Sequence, residues 1–269
     1  MNITQSLAGR VALFKLLPSN IDELKVEGIL PEDWKELIIK GFYPAIYDRN
    51  LAPSPFYANY LQTYIDRDVI SIANVQNKRR FRDFLGLCAA RNGQLLNISN
   101  LANEAGVSQP TAKSWLSILE SSYIIFLLPP YYENFSKRIV KSPKLYFYDV
   151  GLASFLIGLK TMEDLNDRTL LGYLFENLVV ADILKKNLHA YRLNEYWFWR
   201  DSNGNEVDIL TKKGSLFDIF EVKSTRTILP KLLKGLNYFT DISKGKVNER
   251  TLIYSGEENQ NRTDYLVRS

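Results

Sequence analysis

Cysteine and histidine are nearly absent from this chain of 269 residues, which has one of each, Cys88 and His189. A single cysteine forms no internal disulfide, which fits a reducing cytoplasm. One cysteine and one histidine do not build a structural zinc site. A histidine-based catalytic triad would have to use His189, which has no nucleophile motif near it. Uninterrupted apolar runs of about 18 residues are also missing, so no membrane-spanning helix is expected. The start, Met1 to Arg10, is polar and carries no apolar signal core. Chemistry is left to carboxylates, lysines, arginines and tyrosines.

What remains has the balance of an ordinary folded protein, with 46% hydrophobic and 24% charged residues and a net charge of +4. The charge is unevenly spread. Residues 1–77 hold 7 basic and 9 acidic side chains, residues 78–165 hold 11 and 7, and residues 166–269 hold 16 and 14. The middle stretch is the best candidate for a polyanionic partner.

The hydrophobic pattern divides the chain at the same places. In residues 1–77, Glu32 to Lys40 has helical spacing and is closed by Gly41-Phe42-Tyr43-Pro44. Pro53 to Pro55 forms the next break. Phe56, Tyr57, Tyr60, Leu61, Tyr64 and Ile65 then form one apolar helical stripe ending at Asp66-Arg67-Asp68. In residues 78–165 an amphipathic helix around Phe81 to Ala89 is followed by a short helix, Asn100 to Ala105. A Gly106-Val107-Ser108 turn leads to a further helix, Gln109 to Ser121, the order of a helix-turn-helix. Tyr123 to Leu128 and Lys144 to Tyr148 read as a β-hairpin, so the stretch is expected to be a winged helix. In residues 166–269 a long helix, Leu170 to Lys186, precedes strands at Tyr191 to Arg200, Glu206 to Thr211 and Ser215 to Val222. A helix, Pro230 to Phe239, and a strand, Leu252 to Ser255, follow. The fold class expected is α/β (α+β overall), with a mixed sheet flanked by helices.

The sharpest chemical signal is Glu206-Val207-Asp208 followed by Glu221-Val222-Lys223. Alternate strand residues share a face, so Glu221 and Lys223 point the same way while Phe220 and Val222 enter the core. A turn centred between Lys213 and Gly214 sets Asp208 opposite Ile219 and makes Glu221 its diagonal neighbour, at roughly 7–8 Å. Mg²⁺ can bridge two carboxylates at such a separation. Two carboxylates and a lysine suit metal-assisted phosphodiester hydrolysis, with Glu176 as a third acid from the preceding helix. A solvated glutamate–lysine pair on a sheet face is the plain alternative.

These residues carry a resemblance. Gly172 to Val180 (GYLFENLVV), Phe198 to Leu210 (FWRDSNGNEVDIL) and Ile219 to Ser224 (IFEVKS) resemble the C-terminal domain of a large prokaryotic group of AAA-type ATPases. That domain has long been known only as one of unknown function, and it is similar to PD-(D/E)xK nucleases. The resemblance implies Glu176, Asp208, Glu221 and Lys223 as catalytic residues, with Asp208 and Glu221 holding Mg²⁺. Asn100 to Leu119 resembles the winged helix of the same proteins. Ser6 to Leu17, Gly41 to Pro44 and Tyr60 to Asp68 resemble the end of their ATPase module. The phosphate-binding loop G-x-x-x-x-G-K-[ST] of that module is missing, so no ATPase activity is expected of this chain alone, and a finger role for Arg67 has no nucleotide site to serve. Three units follow: an ATPase remnant (1–77), a winged helix (78–165) and a nuclease-like domain (166–269). DNA is the expected partner, contacted by Thr111, Lys113 and Ser114 of the recognition helix and by Lys137, Arg138 and Lys141 of the wing. A partner ATPase module is expected too. The competing reading is a catalytically idle nuclease-like platform for an ATPase.

Overall fold

The structure is a computed structural model that describes residues 14–63, 77–132, 140–192 and 194–269. Its first four helices are short: α1 (Ile21–Val26), α2 (Trp34–Lys40), α3 (Pro44–Asp48) and α4 (Pro53–Tyr60). Asp33 caps α2, and Gly41 closes it with φ of 67°. Pro44 and Pro53 start helices rather than only interrupting the chain. At the first helical position a proline loses no hydrogen bond, because that N–H has no intrahelical partner. The expected continuation from Tyr64 to Asp68, including Arg67, lies outside the described residues, as do residues 6–13 of the Ser6 to Leu17 stretch.

Residues 78–148 follow the expected order. Helix α5 (Lys78–Ala90) buries Phe81, Phe84, Leu85 and Cys88. Asn97 caps α6 (Ile98–Glu104), and Ser108 caps α7 (Gln109–Ser121). Strands β1 (Ile125–Leu128) and β2 (Lys144–Phe147) pair antiparallel, with Phe126 opposite Tyr146. Asp149 then caps α8 (Val150–Leu156). Its buried carboxylate accepts from Leu152 N (2.7 Å), Phe42 N (2.6 Å) and the Tyr57 hydroxyl (2.6 Å). One side chain thereby ties α2 and α4 to α8.

Helix α9 (Arg168–His189) runs 22 residues and leads into a six-stranded sheet. The strands are β3 (Tyr196–Arg200), β4 (Glu206–Lys213), β5 (Leu216–Lys223), β6 (Val247–Tyr254), β7 (Gln260–Asn261) and β8 (Leu266–Arg268). Their order is β3-β4-β5-β6-β8-β7. The first three form an antiparallel meander, and β5, β6 and β8 run parallel. A crossover through α10 (Lys234–Ile242) joins β5 to β6, since parallel neighbours need a long connection. The fold is α+β with a mixed sheet. Several features differ from expectation: β3 begins at Tyr196 rather than Tyr191, and α1, α8, β7 and β8 were not foreseen. The helix foreseen from Pro230 splits into a 3₁₀ turn, Pro230–Leu233, and α10. The late strand begins at Val247, five residues early, because its first half is only half buried and lacks an apolar run.

The core lies on both faces of this sheet. Phe198, Ile209 and Val222 join a cluster that runs through α9 into the helices of residues 17–156. Trp199, Phe217 and Ile219 pack on Leu236 and Phe239 of α10. Asn177 of α9 both donates to Phe147 O (2.9 Å) and accepts from Phe147 N (2.8 Å), fixing the hairpin on the helix. The hairpin also reaches edge strand β3, where Phe198 exchanges backbone bonds with Pro129 and Tyr131. No helix among the described residues is long and apolar enough to cross a membrane.

Candidate functional site

Strand pairing positions the acids. Gly214 and Ser215 form the two-residue turn between β4 and β5, with Gly214 at φ 67°. The turn centre therefore falls one residue later than the sequence reading placed it. Ile219 faces Leu210 rather than Asp208, and the ladder ends at the pair Ile209 and Phe220. An offset of two residues preserves face alternation, which is why Asp208 and Glu221 still meet.

A bulge refines the arrangement. Along β3, Trp197 faces Leu210 but Trp199 faces Val207, so Asp208 and Ile209 together oppose one residue. Such an insertion bends a strand and re-aims a side chain. Asp208 Oδ2 accepts the Val222 N–H at 2.8 Å, taking up a strand donor just beyond the end of the ladder. It also lies 3.3 Å from Lys223 Nζ. The same ammonium sits 2.5 Å from Glu221 Oε1. Both expected metal-binding carboxylates therefore touch one lysine.

Glu176 approaches from α9. Its Oε1 accepts from Lys144 Nζ (2.8 Å) and from the Tyr146 hydroxyl (2.5 Å), both on β2. Lys144 was foreseen only as the start of a strand, and it is the residue that organises this side of the site. Its Nζ lies 2.5 Å from Glu206 Oε1 and 3.7 Å from Asp208 Oδ1. Lys144 and Tyr146 alternate on β2 and so share a face, which the sequence displays. Nothing local to β2 identifies α9 and β4 as the partners. Arg200 of β3 pairs with Glu206 at 3.2 Å.

Burial sets the electrostatics. Desolvation, aided by the Asp208 charge, pushes the Glu221 carboxyl up to about 8. Desolvation also raises Glu176, and the neighbouring Lys144 offsets it only in part. In Asp208 the desolvation is outweighed by Lys223, Lys144 and the Val222 N–H, which hold the carboxyl below its ordinary range. Desolvation works against the ammonium of Lys144 and of Lys223, but the surrounding acids outweigh it and raise both. The site thus keeps its two lysines charged and forces its acids apart in proton affinity.

One carboxylate oxygen has no partner. Glu221 Oε2 is buried without a hydrogen bond. Gly235 of α10 stands against it, and a Cβ there would lie 3.1 Å from Oε2 and 1.9 Å from the Glu206 carbonyl oxygen. Glycine is required for this approach. Among the described residues no three histidine, cysteine or acidic side chains stand together as a ready metal cage.

The expected nucleic-acid contacts divide. Lys113, Ser114 and Lys141 are exposed, and Thr111 is half-buried with its hydroxyl 2.8 Å from that of Ser108. Lys137 and Arg138 lie outside the described residues. His189 and Cys88 serve the structure. The first contacts Asn20 and Glu23, and the second is fully buried in α5.

Two family models match the chain. Residues 31–163 match Domain of unknown function (DUF8612), and residues 171–268 match Domain of unknown function (DUF4143). The second span contains Glu176, Asp208, Glu221 and Lys223. Two uncharacterized proteins, Mb2031c of Mycobacterium bovis and Rv2008c of Mycobacterium tuberculosis, are each 25% identical over 267 residues. Those alignments take in 98% of this chain and 57% of each relative, so the chain spans little more than half their length. No solved structure matches.

Proposed function

We propose that this chain binds nucleic acid and that its C-terminal sheet carries a divalent-metal-dependent phosphodiester-hydrolysing site of the PD-(D/E)xK kind. The observation that carries the reading is the convergence of Glu176, Asp208, Glu221 and Lys223, from one helix and two strands, on a single connected set of ion pairs. Mg²⁺ fits the residues present. Asp208 and Glu221 offer two carboxylates, Glu221 Oε2 is buried and unpartnered, and Mg²⁺ commonly takes only one or two protein carboxylates with water and substrate completing its shell. When bound, such an ion polarises a phosphoryl oxygen and makes a bound water more acidic. Lys223 holds its positive charge where negative charge builds during phosphoryl transfer. Tyr146 and Lys144 keep Glu176 oriented by hydrogen bonds.

The helix-turn-helix and hairpin supply the DNA-contacting part of this reading through Thr111, Lys113, Ser114 and Lys141. The longer relatives leave room for the ATPase module with which the chain would work, in keeping with a cytoplasmic protein. The test is cleavage of labelled single- and double-stranded DNA with Mg²⁺ or Mn²⁺. Wild type is expected to cleave, and Asp208→Ala or Lys223→Ala to lose at least a hundredfold in rate while keeping the far-ultraviolet dichroism of the folded wild type. A folded wild type that cleaves no substrate in either metal rejects hydrolysis.

A second reading, the idle platform, is favoured by Lys144. Its buried ammonium already pairs with Glu176, Glu206 and Asp208 without any metal. Calorimetry separates the two readings: hydrolysis requires Mn²⁺ binding that Asp208→Asn abolishes, whereas the platform binds none.

A further inference from the structure

A second site lies beside the carboxylates. A cleft of about 630 Å³ opens where α2, the start of α9 and the segment after β5 meet. Its lining includes Trp34, Lys35, Arg168, Ser224, Thr225 and Arg226. Three cations from three separate elements converge there, and among the described residues lining it no carboxylate appears. Lys35, Arg168 and Arg226 make no ion pair with any described residue. Unpaired cations grouped in a concave place are a standing attraction for an anion. The helix dipole of α9 is not the source, because Asp167 already accepts from Thr169 N and Leu170 N.

Two parts of the candidate catalytic site, α9 and the chain leaving β5, also contribute to the cleft. Ser224 directly follows Lys223 in the chain. Gly172 is packed over Ser224, so that a Cβ on it would meet the serine hydroxyl at 3.7 Å. Arg168, Gly172 and Glu176 follow one another at intervals of four along α9 and therefore lie on one face. Arg168 stands about 12 Å from Glu176 along the helix axis, at 1.5 Å per residue. Trp34 supplies an aromatic surface at the same place. Its indole is held edge-on to Phe175, with ring centres 4.7 Å apart and planes at 68°. A base stacks on such a ring only when it is unpaired. The cleft size falls within the range that encloses a small ligand or one nucleotide unit.

We propose that this cleft holds a single nucleic-acid strand, with phosphates on Lys35, Arg168 and Arg226 and a base on Trp34, and leads it toward Lys223 and Glu221. The direction of travel rests on the hydrolytic reading, but the binding is measurable without it. A fluorescein-labelled oligothymidylate of twelve nucleotides, titrated with the chain in chelator over a salt series, reads affinity with no metal and no cleavage. Lys35→Ala with Arg226→Ala is expected to weaken binding at least tenfold. It should also flatten the slope of log K against log salt by about 1.4, close to 0.7 for each lost contact. Trp34→Ala should weaken binding with little change of slope. Glutamine replacements at the two cations decide the matter if the alanine variants melt early. Unchanged affinity and slope in the paired variant overturn the proposal. Displacement of the oligonucleotide by adenosine monophosphate at equal affinity also overturns it, in favour of a free-nucleotide site. If cleavage fails while binding still depends on Lys35, Arg226 and Trp34, the hydrolytic reading falls and this one stands.

Discussion

Glu221 is a buried acid whose proton affinity is raised by desolvation and by Asp208, to about 8. An acid raised on folding binds its proton more tightly in the native than in the unfolded chain. The stability it contributes is complete below the ordinary carboxyl range, near pH 4.5, and is lost as pH climbs through 8. Asp208 has the opposite sign: its lowered carboxyl contributes above its ordinary range and loses that contribution in acid. Urea midpoints of the wild type should therefore decline from pH 5 to pH 8.5. Glu221→Gln should remove most of that decline, on the order of 3 kcal/mol. Parallel pH profiles for the two proteins would show that Glu221 is not the group responsible. That Glu221 and Lys223 share a face was foreseen from strand alternation, but the bridging of Asp208 and Glu221 by Lys223 was not. Nor was the role of Lys144, because its partners lie 32 and more residues away.

At the scale of elements, the bulge in β4 and the approach of α10 shape the site. The bulge turns Asp208 toward the Val222 N–H, and Gly235 lets α10 close over the Glu206 carbonyl. A methyl group at Gly235 would stand 1.9 Å from a backbone oxygen, which no side-chain rotation relieves. Gly235→Ala is expected to cost about 3 kcal/mol in denaturant unfolding, at the upper end for overpacking. Gly245→Ala is the control: that glycine has φ of 76° and open space around its Cα, so only local strain of about 1 kcal/mol is expected. Equal costs for the two substitutions would mean that α10 moves freely on the sheet. A helix start such as Ser108 was legible because caps act within three residues. The bulge was not, since its cause is pairing with β3 on the far side of a turn.

The whole molecule is joined by α9. One apolar cluster runs from Leu17 through α5, α7 and the hairpin to Ile209 and Val222 of the sheet. Asn177 pins the hairpin to α9, and Lys144 inserts from the hairpin among acids of α9 and β4. Separating the hairpin from the sheet would leave these buried charges unpaired, at several kcal/mol. The chain is therefore expected to unfold in urea in one transition, with tryptophan fluorescence and far-ultraviolet dichroism coincident. Two resolved transitions would mean that the cluster does not act as one cooperative unit.

By itself the sequence determined what short-range forces decide. Periodicity gave the longer helices and most strands, caps and glycines gave several ends, and the scarcity of cysteine and histidine left the chemistry to carboxylates and lysines. Alternation along β5 also placed Glu221 and Lys223 on one side. Tertiary structure alone decided the strand offset, the bulge at Asp208, the insertion of Lys144 and the cleft around Trp34, Arg168 and Arg226. Each of these depends on contacts between segments far apart in the chain, where the electrostatic and packing energy belongs to the pair and is written in neither segment alone.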